Sequence, residues 1–573
     1  MMRNTLVDNT TDQNKIIHCG ETLYLLSFLA LLFAKAVGMD DGMPAYNALL
    51  IAGALFFALK LIISRNTMAE WLMVVLILAI SGAVYRNTGI KGLLLYSVMM
   101  LGVRNADVRK IFRWGAVVWT ASFTVTILLA QTGLRTEIAY DHPKHFFDYV
   151  ICHALGYTHP NVTQISFVVL LAFLLYLADD HLSRRQLLVV SFLLMAGNLW
   201  LFLNTMSYTG AAMATIYLIL NYCLTGERSP GKREILLVRL ILPLSLIFSI
   251  VGPIVLKTPI IYERIPIVYN RINDILNTRY DLSRYFLLNE PITLFGSRLV
   301  VPNYRYTMDC SYVYLLVQCG VIPFLFVISG LFLLIHDYTK RGLYKETALI
   351  LGFCIAGISE PFLFNTAFKN LIFIFLGEYL YRKTAEWRQH HAAAPGSRWN
   401  HVIEVPALTR TVVRIFEESG VTRAVRKAAG PVLSALRALL RTLRRRLGIY
   451  ALIAVLMFVL GSAGFHAVGR FPADILLPAG RNMDNSLQVR VYTRAEMDEL
   501  KETSRILEND TPGTELVAVS ASTRAFEYRV MTVNAGVWTA GAVVCAIAIV
   551  ETVRYRRSKA VRTHKRQRKC KRE

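Results

Sequence analysis

Acidic residues are scarce in this sequence. Only 39 aspartates and glutamates stand against 63 lysines and arginines, which leaves a formal net charge of +24. The basic residues gather in short segments between apolar runs and in two long basic stretches without interleaved aromatic side chains. Because these stretches also lack any nucleic-acid-binding motif, nucleic acid is not expected as a partner. The distribution favours a membrane protein whose lysines and arginines stay on the cytoplasmic side.

Cysteine motifs are also absent. The eight cysteines include no Cys-x-x-Cys pair and no spacing typical of a zinc site. Most lie inside apolar runs, where a free thiol behaves as a small hydrophobic side chain. We therefore expect neither a disulfide framework nor a metal site. The N-terminus lacks a signal-peptide pattern, so the first apolar run is expected to be a retained helix.

Long apolar runs take the place of alternating polar and apolar residues. Hydrophobic residues make up 54% of the chain, and the mean hydropathy is +0.43. Roughly 20 apolar residues span a bilayer as a helix, and continuous runs favour helices over a barrel. The predicted fold is all-α, a polytopic membrane helix bundle with two long extracytoplasmic loops. Twelve core helices and two C-terminal helices are predicted at about 22–38, 45–64, 69–85, 90–103, 110–132, 161–178, 187–204, 209–224, 235–255, 310–335, 347–362, 363–381, 448–469 and 533–551.

The charges between the helices predict the orientation. With the N-terminus in the cytoplasm, the inner connections carry most of the basic residues, such as the pair at 340–341, and an outer turn carries the acidic pair at 40–41. Two outer loops, at about 135–161 and 257–309, are much longer than the other connections. Long loops on one membrane face are typical of functional regions. The alternative is that these loops lie on the surface and have no catalytic or binding function.

Beyond the core, the chain ends in a basic linker, a two-helix module and a basic tail. The linker has apolar residues at helical spacing from about 408 to 447, interrupted at Gly430 and Pro431. It is either an amphipathic helix on anionic lipid or a solvated linker helix. The module encloses an outer segment with a predicted helix near 494–508 and a strand near 515–519. The predicted parts are 1–381, 382–447, 448–551 with its outer segment 470–531, and 552–573.

The first long loop closes with Leu-Gly-Tyr-Thr-His-Pro-Asn at 155–161. Pro160 can begin a helix, and Asn161 can cap or orient its first turn. His159 would then lie at the membrane surface beside a helix N-terminus, which favours anions. A single histidine at such a place is either a hydrogen-bonded structural residue or a catalyst.

The second long loop is rich in arginine and leads into Met-Asp-Cys-Ser-Tyr-Val-Tyr-Leu-Leu at 308–316, with Gly320 following. The planar guanidinium group suits phosphate oxygens and keeps its charge at any relevant pH. An anionic ligand is therefore predicted, with ordinary solvated loop charge as the alternative. The arginines that could converge on one surface are Arg279, Arg284, Arg298 and Arg305.

A third stretch, Gly-Ile-Ser-Glu-Pro at 357–361, lies between the last two core helices and is followed by Asn365 and Asn370. Its carboxylate, Glu360, lies near a helix end. In a membrane protein such a carboxylate is often functional. A hydrated side chain at the membrane interface is the alternative.

Together these stretches resemble the lipid-linked polysaccharide polymerase family, the O-antigen or capsular polymerases of the O-antigen ligase superfamily. The resemblance covers about residues 20–381 and rests on the stretches at 155–161 and 308–320 and on the order helix, long loop, helix. It implies an enzyme on the extracytoplasmic face of the cell membrane. Such enzymes transfer a growing glycan from a polyprenyl diphosphate to the non-reducing sugar of another lipid-linked repeat unit, without a metal or other cofactor.

The resemblance also implies roles for individual residues. Arg279 matches the family's large-loop arginine and would bind the donor diphosphate, neutralising the charge that builds on this leaving group. Asp309, Glu360 or His159 would accept the proton of the attacking hydroxyl. Further candidates for binding the diphosphate or the glycan are Arg284, Arg298, Arg305, Asn161 and Tyr312.

Other functions remain open on the sequence alone. A glycan ligase would share the donor chemistry but use a different acceptor, whereas a transporter or flippase would move lipid-linked sugars. Transporters tend to have internal repeats and charged mid-membrane helices, which are not evident here. An inactive assembly scaffold is a third alternative. Expected partners are the polyprenyl-diphosphate-linked oligosaccharide and membrane lipid, with a flippase and a chain-length regulator as candidates. The C-terminal module is similar in layout to chain-length regulators, or is a tether.

Overall fold

A computed structural model gives the architecture of the chain. Contacts divide it into two compact units: Met1–Val125, Ser166–His181 and Ala212–Thr422 form the first, and Thr126–Ile165, Leu182–Ala211 and Arg423–Glu573 form the second. The residues that the structure describes are 2–144, 147–178, 182–225, 230–302, 306–391, 397–418, 434–435, 438–439, 441–469, 475–479, 492–493, 515–518 and 521–570.

Helices long and apolar enough to span a membrane number ten among the described residues. The prediction of a polytopic helical membrane protein is therefore confirmed. Two shorter apolar helices, Gly92–Leu101 and Tyr208–Leu224, accompany the spans. The ten spans are Gln13–Ala36, Pro44–Ile63, Met68–Thr88, Val108–Gln131, Pro160–Ala178, Arg184–Thr205, Lys232–Val255, Val321–Lys340, Leu447–Val468 and Ser522–Arg554.

Several helix boundaries differ from the predicted ones. The first helix begins at Met2 rather than near residue 22. The last core helix is Ile372–His391 rather than 363–381. It begins late because the side chain of Asn370 accepts a hydrogen bond from the amide of Ile372 at 3.1 Å, which caps the first turn. The preceding helix ends at Ala356. The segment between these two helices is irregular apart from a 3₁₀ turn at Pro361–Leu363.

The helix predicted at 310–335 is broken in two. A helical segment at 311–318 ends at Gln318, and Val321–Lys340 follows it. At the break, the amides of Val321 and Ile322 donate to the carbonyls of Thr293 and Leu294, at 2.9 and 3.1 Å. The break therefore fastens the end of the second long loop to the helices of the core.

Gly320 makes this break possible because its φ of +100° lies in a region that favours glycine. A Cβ here would come within 2.7 Å of the carbonyl oxygen of Leu294 and closer still to the amide of Gly296. We expect Gly320→Ala to destabilise the protein by about 1–3 kcal/mol through overpacking, beyond the cost of the strained φ. Thermal unfolding in detergent would measure this. Gly82→Ala is the control, since a Cβ at Gly82 meets nothing within 4 Å; equal melting temperatures for the two variants would contradict the prediction.

The second long loop folds into three short helices, Pro259–Tyr262, Pro266–Ile275 and Arg279–Asn289. The first two begin with proline, whose fixed φ suits the first helical turn and whose missing N–H is not needed there. The helix Arg279–Asn289 packs against the end of the span Lys232–Val255. The hydroxyl of Tyr280 there donates to the carbonyl of Phe248 at 3.0 Å.

The described part of the linker contains an amphipathic helix, Pro406–Glu418. Its Val412 is buried with Leu23 and Ile63 of the first two spans, and Phe416 packs against the same cluster. The apolar side of this helix is therefore covered in part by protein. The predicted interruption at Gly430 and Pro431 lies outside the described residues.

The second unit contains a β-hairpin in the first long loop, with strands Ala139–Lys144 and Phe147–His153. It also contains a three-stranded antiparallel sheet in which Ile475–Ala479 lies between Tyr492–Thr493 and Glu515–Ala518. The strand predicted near 515–519 is thus present. The helix predicted near 494–508 lies outside the described residues.

The C-terminal helix Ala521–Cys570 is integrated into the second unit. Its Asn534 exchanges hydrogen bonds with Asn204 at 2.9 and 3.0 Å and accepts another from the indole of Trp200 at 2.7 Å. Polar pairs of this kind hold helices together in apolar surroundings. The C-terminal helix therefore packs with the helix Arg184–Thr205, which was predicted to belong to the core.

Candidate functional site

A strained turn precedes the candidate site in the second long loop. Asn277 and Thr278 have φ values of +51° and +66°, which are uncommon for non-glycine residues and outlying for a β-branched residue such as threonine. Such strain is found where the surrounding structure requires it, and it clusters at functional sites. The turn ends the helix Pro266–Ile275 and starts the helix Arg279–Asn289, so that Arg279 lies at the first helical position.

The Arg279 guanidinium joins two carboxylates. Its Nε donates to Oδ2 of Asp309 at 3.1 Å, and its Nη2 contacts Oε1 of Glu360 at 3.4 Å. These three residues, called the Arg279 cluster below, come from three separate stretches of the first unit. The structure thus brings together three of the residues predicted for the site.

The backbone around both carboxylates is tied together. The amide of Ser311 donates to the carbonyl of Gly357 at 2.8 Å, and its hydroxyl donates to the carbonyl of Glu360. The amide of Leu363 in turn donates to the Ser311 hydroxyl at 3.4 Å. These hydrogen bonds fix the distance between Asp309 and Glu360, because they connect the residues beside them.

Burial distinguishes the members of the cluster. The side chains of Arg279 and Glu360 are each 7% exposed, whereas that of Asp309 is 27% exposed. A buried charge is stable only when it is paired, and here one cation faces two carboxylates. Asp309 is therefore the member that an external molecule can reach, while Glu360 is held inside.

A lysine that the sequence analysis did not single out lies near the cluster. Lys369 is 5% exposed, its amine donates to the hydroxyl of Ser166 at 3.0 Å, and the charge of Glu360 acts on it. The signal in the sequence was a single lysine in the apolar connection between the last two core helices, where a charge needs a partner.

The chain segment that carries Lys369 is positioned by Tyr96 of the helix Gly92–Leu101. The tyrosine hydroxyl donates to the carbonyl of Phe362 at 2.7 Å and accepts from the amide of Lys369 at 3.3 Å. The side-chain amide of Asn370 donates to the carbonyl of Leu363 at 3.0 Å. Asn370 thus positions the backbone.

The other arginines predicted for the site differ in their surroundings. Arg284 is half-buried on the same helix as Arg279, and its Nε is a buried atom without a hydrogen-bond partner among the described residues. Arg298 is exposed, and Arg305 lies outside the described residues. Tyr312 is fully buried, and its hydroxyl donates to the carbonyl of Cys354 at 2.6 Å, so it supports the backbone of the site.

Comparison with known proteins supplies no relative: no family model, no curated protein and no solved structure matches this chain. Among the described residues, no group of three or more histidine, cysteine, aspartate or glutamate side chains could hold a metal ion.

His159 and Asn161 belong to the second unit. The helix begins at Pro160, as predicted, but the cap is His159 rather than Asn161. The ring Nδ1 of His159 accepts a hydrogen bond from the amide of Asn161 at 3.1 Å. This hydrogen bond orients the ring of His159, which is an exposed residue.

A second cluster, also missed by the sequence analysis, surrounds His153 in the first long loop. Its Nε2 lies 3.1 Å from Oε1 of Glu527, and its Nδ1 lies 3.5 Å from Oε1 of Glu137. Burial by itself lowers the pKa of His153, but the two carboxylates outweigh this and raise the pKa to about 10. The charged ring therefore joins the hairpin to the helix Ala521–Cys570.

The contribution of His153 to stability should depend on pH. Because its pKa in the folded protein lies above the ordinary value of 6.5, the stabilisation is complete below about pH 6.5 and is lost as pH rises towards 10. We expect His153→Gln to lower stability at pH 6.5 by about 1.5–3 kcal/mol, as for a hydrogen bond to a charged group. The difference in melting temperature from the unsubstituted protein should narrow up to pH 10. A difference that stays constant over this range would contradict the assignment, and His401→Gln, at an exposed histidine, is the control.

Chemically, the Arg279 cluster offers an accessible carboxylate held by an arginine. The arginine keeps Asp309 in a fixed position and has further N–H donors beyond the two in use. A guanidinium group with spare donors can bind phosphate oxygens, and a positioned carboxylate can accept a proton. These two abilities are what a group transfer from a phosphate-linked donor requires.

Proposed function

We propose that this protein is a glycosyltransferase that polymerises polyprenyl-diphosphate-linked oligosaccharide repeat units into a surface polysaccharide. The observation that supports this most is the contact of Arg279 with both Asp309 and Glu360. The family resemblance assigned functions to these three residues separately. Their meeting in one cluster is expected for a shared site and is not required of unrelated surface charges.

In the proposed reaction, a sugar hydroxyl of the acceptor attacks the anomeric carbon of the donor glycan. The new carbon–oxygen bond forms as the bond to the diphosphate oxygen breaks, and the diphosphate leaves with the electron pair. Asp309 accepts the hydroxyl proton because it is the more exposed carboxylate of the cluster. Arg279 holds Asp309 in place and offers its remaining donors to the leaving diphosphate.

The buried Glu360 acts on the reaction through Arg279. Without Glu360 the guanidinium could rotate towards Asp309 alone, and its donors would no longer have a fixed direction. His159 is kept as a candidate proton acceptor from the resemblance, although its role as a helix cap favours a structural function.

The proposed protein lies in the cell membrane and crosses it many times. The chain has twelve core spans and two C-terminal ones in the cell membrane when four helices are counted as crossings in addition to the ten long spans. These four are Gly92–Leu101, Tyr208–Leu224, Tyr344–Ala356 and Ile372–His391. Both termini then lie in the cytoplasm and both long loops lie on the extracytoplasmic face. The basic residues in the connections on the other face of the membrane favour this orientation. The substrate, membrane lipid, a flippase and a chain-length regulator are the proposed partners.

Two other functions share part of this geometry. A glycan ligase would use the same donor site and transfer the finished chain to another acceptor. A transporter or flippase would need the cationic site to bind the diphosphate but would have no use for a proton acceptor beside it. The exposed Asp309 next to Arg279 therefore favours an enzyme over a transporter.

A deletion and complementation experiment in the native host tests the proposal. The length of the surface polysaccharide is followed on a gel, and the membrane level of each variant is checked. If the deletion strain carries only single repeat units and the complete gene restores long chains, polymerisation is supported. Long chains that stay on the lipid carrier would favour a ligase. If single units fail to reach the outer face, transport is the better account.

A further inference from the structure

The span Lys232–Val255 exposes a continuous apolar stripe. The exposed residues recur at intervals of three and four, which places them on one side of the helix. In a membrane-spanning helix such a side faces the hydrocarbon chains of lipid. Its members are Leu236, Leu237, Leu240, Leu244, Ile247, Val251 and Val255.

Exposed apolar side chains are also found beyond the end of the span. In the first two helices of the second long loop, Ile260, Ile267 and Ile275 are 73%, 71% and 73% exposed. A loop segment surrounded by water would rarely expose three isoleucine side chains to this extent. The exposed apolar residues of the span are thus followed, within the next twenty residues of the chain, by three strongly exposed isoleucines.

The loop also folds back alongside the span. The hydroxyl of Tyr280 donates to the carbonyl of Phe248, and the two rings lie 5.2 Å apart. Phe248 precedes Val255, the last residue of the span, by about two helical turns, or roughly 10 Å at the usual rise. Arg279, the neighbour of Tyr280, therefore lies near this depth rather than beyond the end of the span.

The polar residues of the same helix fit an interfacial position. Around the axis of Pro266–Ile275, five exposed residues follow one another in the order Asn270, Asp274, Ile267, Arg271 and Ile275. The two polar residues thus lie at one edge of the exposed side, and the isoleucines lie in its middle and towards the other edge. Arg271, which lies between the isoleucines, is long enough to reach the headgroups while its stem stays among apolar groups. This arrangement is typical of helices that lie in the plane of the membrane boundary.

We propose that the helices of the second long loop lie in the membrane interface, with their isoleucines in lipid, and that the Arg279 cluster lies below the membrane surface. The partner of this apolar surface is membrane lipid. If the proposed function also holds, a lipid-linked diphosphate could reach Arg279 without leaving the bilayer. The lipid contact itself does not depend on any reaction.

Spin labels on single cysteines test the position of the loop in the full-length protein, reconstituted into phosphatidylcholine–phosphatidylglycerol vesicles. The background carries Cys223→Ser and Cys545→Ser, which remove the exposed cysteines of the described part, and Cys570→Ser. Labels are placed at Ile267→Cys and Ile275→Cys, with Asn270→Cys as the matched control on the same helix. Accessibility to oxygen, which concentrates in lipid, is compared with accessibility to a water-soluble nickel chelate. Gel filtration in detergent confirms that each variant is folded.

The proposal requires a several-fold higher ratio of oxygen to nickel accessibility at residues 267 and 275 than at residue 270. Nickel accessibility that is high at all three positions would place the loop in water and overturn the proposal. Low accessibility to both reagents at 267 and 275 would overturn it as well, because protein, such as a second copy of the chain, would then cover the surface. None of these results bears on the proposed reaction, so the two proposals can fail separately.

Discussion

Replacing Arg279 by alanine should reduce the product to single repeat units and destabilise the first unit at the same time. The substitution leaves Glu360, which is 7% exposed, without this cation, and it removes the group that holds Asp309. Breaking a buried ion pair by removing one partner costs about 3–5 kcal/mol. Gel analysis of the polysaccharide and the melting temperature of the purified protein measure the two effects.

A compensated variant separates these effects of Arg279. In Arg279→Met combined with Asp309→Asn and Glu360→Gln, no buried charge of the cluster loses its partner, so most of the stability should return. Polymerisation should stay absent because neither the phosphate-binding group nor the proton acceptor is restored. Arg264→Ala, at an exposed arginine of the same loop, should change stability by no more than about 0.5 kcal/mol. Long chains made by the compensated variant would rule out a catalytic function of the cluster.

The second large effect is expected for Asp309→Asn. The amide keeps the shape of the carboxylate but cannot accept the hydroxyl proton, so the rate of polymerisation should fall by about 10²–10⁴-fold. The side chain is 27% exposed, so the loss of stability should be much smaller than for Arg279→Ala. The rate is measured with purified lipid-linked repeat units in vesicles, at equal protein levels.

Glu360→Gln provides the contrast with Asp309→Asn. Glu360 is buried and is proposed to act through Arg279. Glu360→Gln should therefore lower stability more than Asp309→Asn does, and lower the rate of polymerisation less. Asp274→Asn, at an exposed carboxylate of the same loop, is the control for the general loss of a negative charge. If Asp309→Asn polymerises at the rate of the unsubstituted protein while Glu360→Gln does not, the proton acceptor has been assigned to the wrong carboxylate.

The members of the Arg279 cluster could be predicted from the sequence, but their contacts could not. An arginine in a long loop, an aspartate before a helix and a glutamate between two helices each have a local signal. Their separations along the chain are 30 and 81 residues, and no local pattern specifies which of many charged side chains will meet over such distances. The strained turn has only a weak signal in residue type. Asparagine adopts a positive φ more often than most residues other than glycine, but a β-branched residue such as Thr278 rarely does.

Two buried titratable side chains, Lys369 and His153, were not singled out from the sequence. Lys369 and its partner Ser166 are 203 residues apart, and His153 and Glu527 are 374 residues apart. A lone lysine or histidine in a sequence is equally compatible with a solvated surface. Such a residue is recognised as important only from its burial and from the position of its partner. Both are properties of the folded molecule.

The sequence by itself determined that this protein is a polytopic helical membrane protein and where most of its helices lie. This was possible because a membrane-spanning helix satisfies all its backbone hydrogen bonds within one continuous apolar segment, so the information is local. Only the tertiary structure decided that the helix predicted at 310–335 breaks at Gly320, that the C-terminal helices belong to a unit with part of the core, and that Arg279, Asp309 and Glu360 meet. These features depend on contacts between segments far apart in the chain, whose energies arise only when the helices pack.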